Sequence, residues 1–205
     1  MQIEGKNLDS INITVTFNVL DKDHIRRDII KDTFKDEEIQ IAEVKNVLFI
    51  IFNDRNVRAH FANKRLAVSI AMFDDLETAS DSCAYVVGGL LAAINKDDIS
   101  AYGFNFQGNF RSSDVDYNKY LLKVCYNDGV GISQNIGVPI IHVAPGFCFN
   151  MHEAQFFISL DPDTEEFYLD FHCNVQFSEV IPPTDQVKQQ IKTYLGYFYE
   201  IMESL

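Results

Sequence analysis

The chain has 205 residues, with 17 Lys and Arg against 30 Asp and Glu, and so a formal net charge of −13. Hydrophobic residues make up 47% of it, including 17 Phe and 9 Tyr but no Trp. That much apolar material excludes a disordered chain, and 10 Gly with 5 Pro exclude a collagen-like or low-complexity one. The acid excess argues against direct contact with nucleic acid, because phosphate would be repelled.

A chain of this size buries about 70% of the surface it exposes when unfolded, enough for a core without staples. We expect one compact domain over 1–205, or two intimately packed halves, 1–111 and 112–205. Cys83, Cys125, Cys148 and Cys173 are widely spaced, with no C-x-x-C pair. The start of the chain lacks a charged-then-apolar leader. Together these features read as a cytoplasmic protein with reduced thiols. The longest uncharged apolar run beside a helix, Cys83 to Ile94, is too short to cross a bilayer, so no membrane partner is expected.

In chain order, residues 11–20 (INITVTFNVL) alternate between apolar and polar, which predicts a half-buried strand with Asn12, Thr14 and Thr16 on its wet face. Residues 21–38 mix acids and bases around a thin stripe of Ile25, Ile29, Ile30 and Phe34. They predict a solvated surface helix with an Asp23–Arg27 pair. Segments 38–44, 47–53, 57–62 and 65–73 read as strands joined by short polar turns. The segment VLFIIFN, apolar except at its end, predicts a central strand covered on both faces.

A helix follows over about 80–95, capped by Ser80 or Ser82, with an all-round small or apolar body that marks burial. Gly88 and Gly89 inside it suggest close approach of another backbone. Residues 99–110 read as a strand with Tyr102, Phe104 and Phe106 on one side, and 113–126 as a helix capped by Ser113. Strands are expected at 138–150, 153–160 and 165–177. In the last, Tyr168, Asp170, His172, Asn174 and Gln176 share the polar face. Pro182-Pro183 stops the sheet, and a helix capped by Thr184 runs to the end with a stripe of Val187, Ile191, Leu195 and Phe198.

The sum is an α+β fold: a predominantly antiparallel sheet of about eight strands with three or four helices. The order strands-then-helix occurs twice, at about 47–95 and 138–205. Without residue identity between the halves, we read this as ordinary α+β construction rather than as a repeat. The sequence resembles no family by motif.

Chemistry is sparse. The sequence has no phosphate-binding loop, no nucleophile elbow and no H-E-x-x-H. Gly129-Val130-Gly131 has the wrong spacing for a dinucleotide fingerprint, and 161–166 lacks the glycine and the bidentate Glu of a calcium loop. If 161–164 is a four-residue turn, the flanking strands pair with a register sum of 325. His152 then faces Cys173, with His142 and Cys148 on the next strand. Those four suit zinc chemically, but no close ligand pair announces a site. Cys173 alternates with apolar residues and should be inert. We expect no cofactor, no metal and no catalytic set, with an enzyme assembled from distant residues, built around His152, His172 and Cys173, as the outside reading.

What remains is binding. The candidate binding residues are Tyr168, Asp170, His172 and Asn174 on the polar strand face, and Tyr197 and Tyr199 outside the last helix's core stripe. Tyr is favoured where a ring is buried and its hydroxyl stays wet. The expected function is an acidic protein-binding module, such as an inhibitor or immunity-type protein that engages a basic partner. An oligomeric scaffold or chaperone-like protein is the alternative.

Overall fold

A computed structural model of the chain describes residues 3–20, 23, 25–94, 98–126, 142–163 and 167–204. The strands are β1 (Gly5–Phe17), β2 (Ile39–Val44), β3 (Val47–Phe52), β4 (Val57–Ala62), β5 (Arg65–Ala71), β6 (Ile99–Arg111), β7 (Gly146–Met151), β8 (Ala154–Pro162) and β9 (Tyr168–Phe177). The helices are α1 (Arg27–Thr33), α2 (Leu76–Leu91), α3 (Tyr117–Tyr126) and α4 (Thr184–Ser204). The fold is therefore α+β, built on a single antiparallel sheet of nine described strands in the order β2-β3-β4-β5-β1-β6-β9-β8-β7. None of the described helices is long and apolar enough to cross a membrane.

The sheet is arranged about the β1–β6 ladder, with four described strands beyond β1 and three beyond β6. Each of the long strands β1 and β6 leads a strand–helix–meander–helix series, and each pairs with the last strand of its own meander, β1 with β5 and β6 with β9. The recurrence in the sequence is therefore one of connectivity as well as of order, with the second unit opening at β6. The units lack shared residue identity because burial constrains the period of the pattern and not the residues that fill it.

Alternation builds the core. Ile11, Ile13, Val15 and Phe17 of β1, Phe104, Phe106 and Phe110 of β6 and Leu169, Phe171, Cys173, Val175 and Phe177 of β9 all point into the helix layer and are buried. Each fully buried Phe contributes about 1.5–3 kcal/mol. Tyr102 stacks on its ladder partner Phe177 with centroids 4.6 Å apart, and Phe198 of α4 lies 4.7 Å from Phe171. Asn63-Lys64 turns β4 into β5 with both residues at positive φ (49° and 63°), the twist a two-residue hairpin needs.

Several expectations are corrected. β3 is next to the edge and covered on one face only: Leu48, Ile50 and Phe52 are buried while Phe49 is exposed. Its outward apolar residues imitated two-sided burial. α2 starts at Leu76, capped by Asp75, whose carboxylate accepts from the Glu77 and Thr78 amides and the Thr78 hydroxyl. Ser80 and Ser82 lie buried inside the helix. Before α3, Ser112 accepts from the amides of Asp114 and Val115, and Asp116 from that of Lys119, in place of a Ser113 cap. Gly88 and Gly89 admit side chains, not backbone. A Cβ would fall 2.3 Å from Thr184 Oγ1 at Gly88 and 2.3 Å from Phe34 Cζ at Gly89.

β7 occupies 146–151 rather than 138–150, with 138–141 outside the described residues. The Gly129–Gly131 turn and residues 164–166 of the acidic tip lie outside them too. Arg27 pairs with Glu43 rather than with Asp23.

Candidate functional site

The described helices pack against the face that carries the buried residues, and no described element covers the opposite face of the sheet. Its centre is a row of amides in register across three strands: Asn12 of β1 opposite Asn105 of β6, and Asn105 opposite Asn174 of β9. Asn174 Nδ2 donates to Asn105 Oδ1 (2.5 Å), Asn105 Nδ2 donates to Asn12 Oδ1 (3.2 Å), and the Thr14 hydroxyl donates to that same oxygen (2.8 Å). These contacts tie the short polar side chains to one another along the row. Phe49 on β3 and Phe157 on β8 stand exposed towards its two sides.

Of the residues singled out for binding, Tyr168, Asp170, His172 and Asn174 lie together on this face, as period two requires. Arg111 sits over the Tyr168 ring, 5.8 Å from its centroid. Tyr197 and Tyr199 belong to the other side. Tyr199 packs edge-on to Phe110 and beside Phe198, under the Lys6 ammonium, and burial pushes its hydroxyl up to about 12. Tyr197 stacks on His152 at 4.7 Å. The six residues thus form no single site.

The expected register was wrong. β8 runs to Pro162, and the β8–β9 ladder pairs Ile158 with Cys173, a register sum of 331 rather than 325. The difference is even, so every side chain keeps its expected face while its partner changes. His152 therefore does not face Cys173. It caps the β7–β8 turn at φ 54°, while Cys173 is buried and its thiol is pushed far up by that burial. Cys148 is exposed on β7, and His142 places Nε2 2.8 Å from Asp161 Oδ1. Among the described residues no group of His, Cys, Asp and Glu is arranged to hold a metal ion.

The true register creates a different feature. Asp161 lies directly opposite Asp170. Asp9, the extra residue of a bulge in β1 between Leu8 and Ser10, joins them around a depression of about 310 Å³ that Gln107, Ser159 and His172 also line. Partial burial raises the Asp170 pKa, and the charges of Asp163, Asp161 and Asp9 raise it further. Like charges facing each other across a ladder destabilise it. The sequence reading included Asp170 but missed Asp9 and Asp161, because a sum of 325 set Asp161 inside the turn.

Fold and face together define an α+β chain whose nine described strands form one antiparallel sheet with a face that no described element covers. No protein-family model matches the sequence, and no curated protein matches it either.

Proposed function

We propose that this chain is an acidic protein-binding module that docks a basic protein partner on its open sheet face, in the manner of an inhibitor or immunity-type protein. The observation that carries the reading is the facing pair Asp161 and Asp170 on that uncovered face, with Asp9 beside them. In the free chain the pair costs stability. A Lys or Arg head from a partner, set between the two carboxylates, turns one repulsion into two charge-assisted hydrogen bonds. The net charge of −13 steers a basic partner towards the chain. The free, unbridged cysteines suit a reducing cytoplasm.

The test uses a lysine-rich peptide as probe, titrated at low and at physiological ionic strength into the full chain and into D161N/D170N. The expected result is saturable binding that weakens several-fold in the variant and falls with salt. Equal binding by both chains would overturn the reading.

A further inference from the structure

We infer that the opposite end of the open face holds an anion-binding site centred on Arg65, suited to the oxyanion of a carboxylate or a phosphate. This inference does not rest on the basic-partner reading, because it concerns other residues and the opposite charge.

Arg65 opens β5 beside the Asn63-Lys64 turn, with its side chain on the open face, and it is exposed. It lines two adjoining depressions. One, of about 170 Å³, is bounded by Thr14, Thr16, Asn105 and Gln176. The other, of about 540 Å³, is bounded by Asn12, His60 and Asn63. Thr14 borders both. The floor of the first is kept low at Gly103, where a Cβ would come within 2.5 Å of Val175 O. Arg65 therefore borders a concave surface where Thr16, Asn63 and Gln176 offer hydroxyl and amide donors of the kind that bind an oxyanion, the Thr14 hydroxyl being spent on Asn12 Oδ1.

The charge pattern is the second observation. In a chain with 13 more acids than bases, a cation readily finds a carboxylate. Lys6, Arg26, Arg27, Arg55, Lys119, Lys188 and Lys192 all do so. Arg65 and Arg58, like Lys31, Lys35, Lys64, Arg111 and Lys123, form no ion pair among the described residues, and what sets Arg65 apart is its place on the border of both depressions. Arg65 and Arg58 lie on the same face of adjacent strands, with His60 between them in register: Arg58 opposite Ser69, His60 opposite Ala67 and Ala62 opposite Arg65. An unpaired guanidinium presents a rigid fork of donors that matches a carboxylate or phosphate edge in bidentate fashion, and neighbouring Thr and Asn groups can fill the remaining acceptor sites. Arg58 adds long-range attraction along the strand.

The experiment titrates inorganic phosphate and, separately, citrate at low ionic strength into the full chain, into R65Q and into R65K, following backbone amide resonances. Arg65 is exposed, so both variants should fold, and R111Q serves as a control cation on the same face. The expected result is saturable shifts confined to residues around Thr14, Thr16 and Gly103 in the parent chain. Binding should weaken about tenfold in R65Q, as loss of a bidentate charged pair predicts. It should weaken less in R65K and remain unchanged in R111Q. The stronger of the two titrants identifies the oxyanion. Absence of saturable shifts in the parent chain, or equal binding by R65Q, overturns the inference.

Discussion

Asp161 and Asp170 face each other across the β8–β9 ladder, two carboxylates at a spacing where strands ordinarily place opposite charges. Their side chains point away from the core, so packing does not force them together. The arrangement costs the free chain stability and concentrates negative charge at one end of a face that also carries Arg58, Arg65 and Arg111.

The first prediction follows from the sign of that cost. Burial and its acidic neighbours hold the Asp170 carboxyl above its ordinary pKa, so folding disfavours its ionised form. The penalty is full above the folded pKa and fades as pH falls through it towards the unfolded value. Asp170→Asn should therefore stabilise the chain at pH 7, by about 0.2–1 kcal/mol and near the low end because the group is exposed. The gain should shrink as pH falls below the folded pKa. Urea denaturation of both chains at neutral and acid pH checks this, and a destabilised variant at pH 7 would count against it.

The contact between α2 and Phe34 gives the second. The Phe34 ring is buried between Phe52, 4.8 Å away, and Tyr85, 5.6 Å away, so it cannot retreat from a new methyl group at Gly89. Gly89→Ala should destabilise by about 1–3 kcal/mol, even though alanine favours a helix by about 1 kcal/mol. A raised denaturation midpoint would contradict the packing described.

The Asp75 cap supplies the third. Its pKa is lowered by the Thr78 hydroxyl first and by the Thr78 and Glu77 amides. A depressed carboxyl stabilises above its unfolded pKa and loses that contribution as pH falls through the folded one. Asp75→Ala should lower the melting temperature at pH 7, and the gap to the parent chain should close under acid conditions. A gap that persists there would place the effect elsewhere.

Thiol chemistry gives the fourth. Cys148 is exposed, Cys125 half-buried, and Cys83 and Cys173 fully buried, with the Cys83 thiol pushed up to about 12 by burial. A thiol-specific reagent should modify Cys148 quickly and Cys125 slowly, and should reach Cys83 and Cys173 only after unfolding. Rapid reaction of all four in the native chain would be incompatible with the core.

Most of the fold could be read from the sequence, because period-two alternation and two-residue turns are local signals. β2, β4 and β5 lie within two residues of their expected bounds, and Tyr168, Asp170, His172 and Asn174 share the face that alternation assigned them. Strand order and register could not be read in this way. Nothing local in VLFIIFN separates a central strand from one beside the edge. A turn centred three residues later leaves every face unchanged while it replaces every partner. That shift hid the Asp161–Asp170 pair. The bulge that brings in Asp9 and the lack of a partner for Arg65 arise from pairings distant in sequence, which periodicity does not report.

The central claim is that the open face keeps an acid pair for docking at a cost in stability. The direct test measures binding of the lysine-rich peptide and the denaturation midpoint together, for the parent chain, D161N/D170N and D28N/D32N. The last changes net charge equally but on α1. The account predicts that D161N/D170N binds several-fold more weakly and is more stable, while D28N/D32N binds nearly as the parent does. Equal weakening by the two double variants would reduce the effect to total charge and contradict the claim.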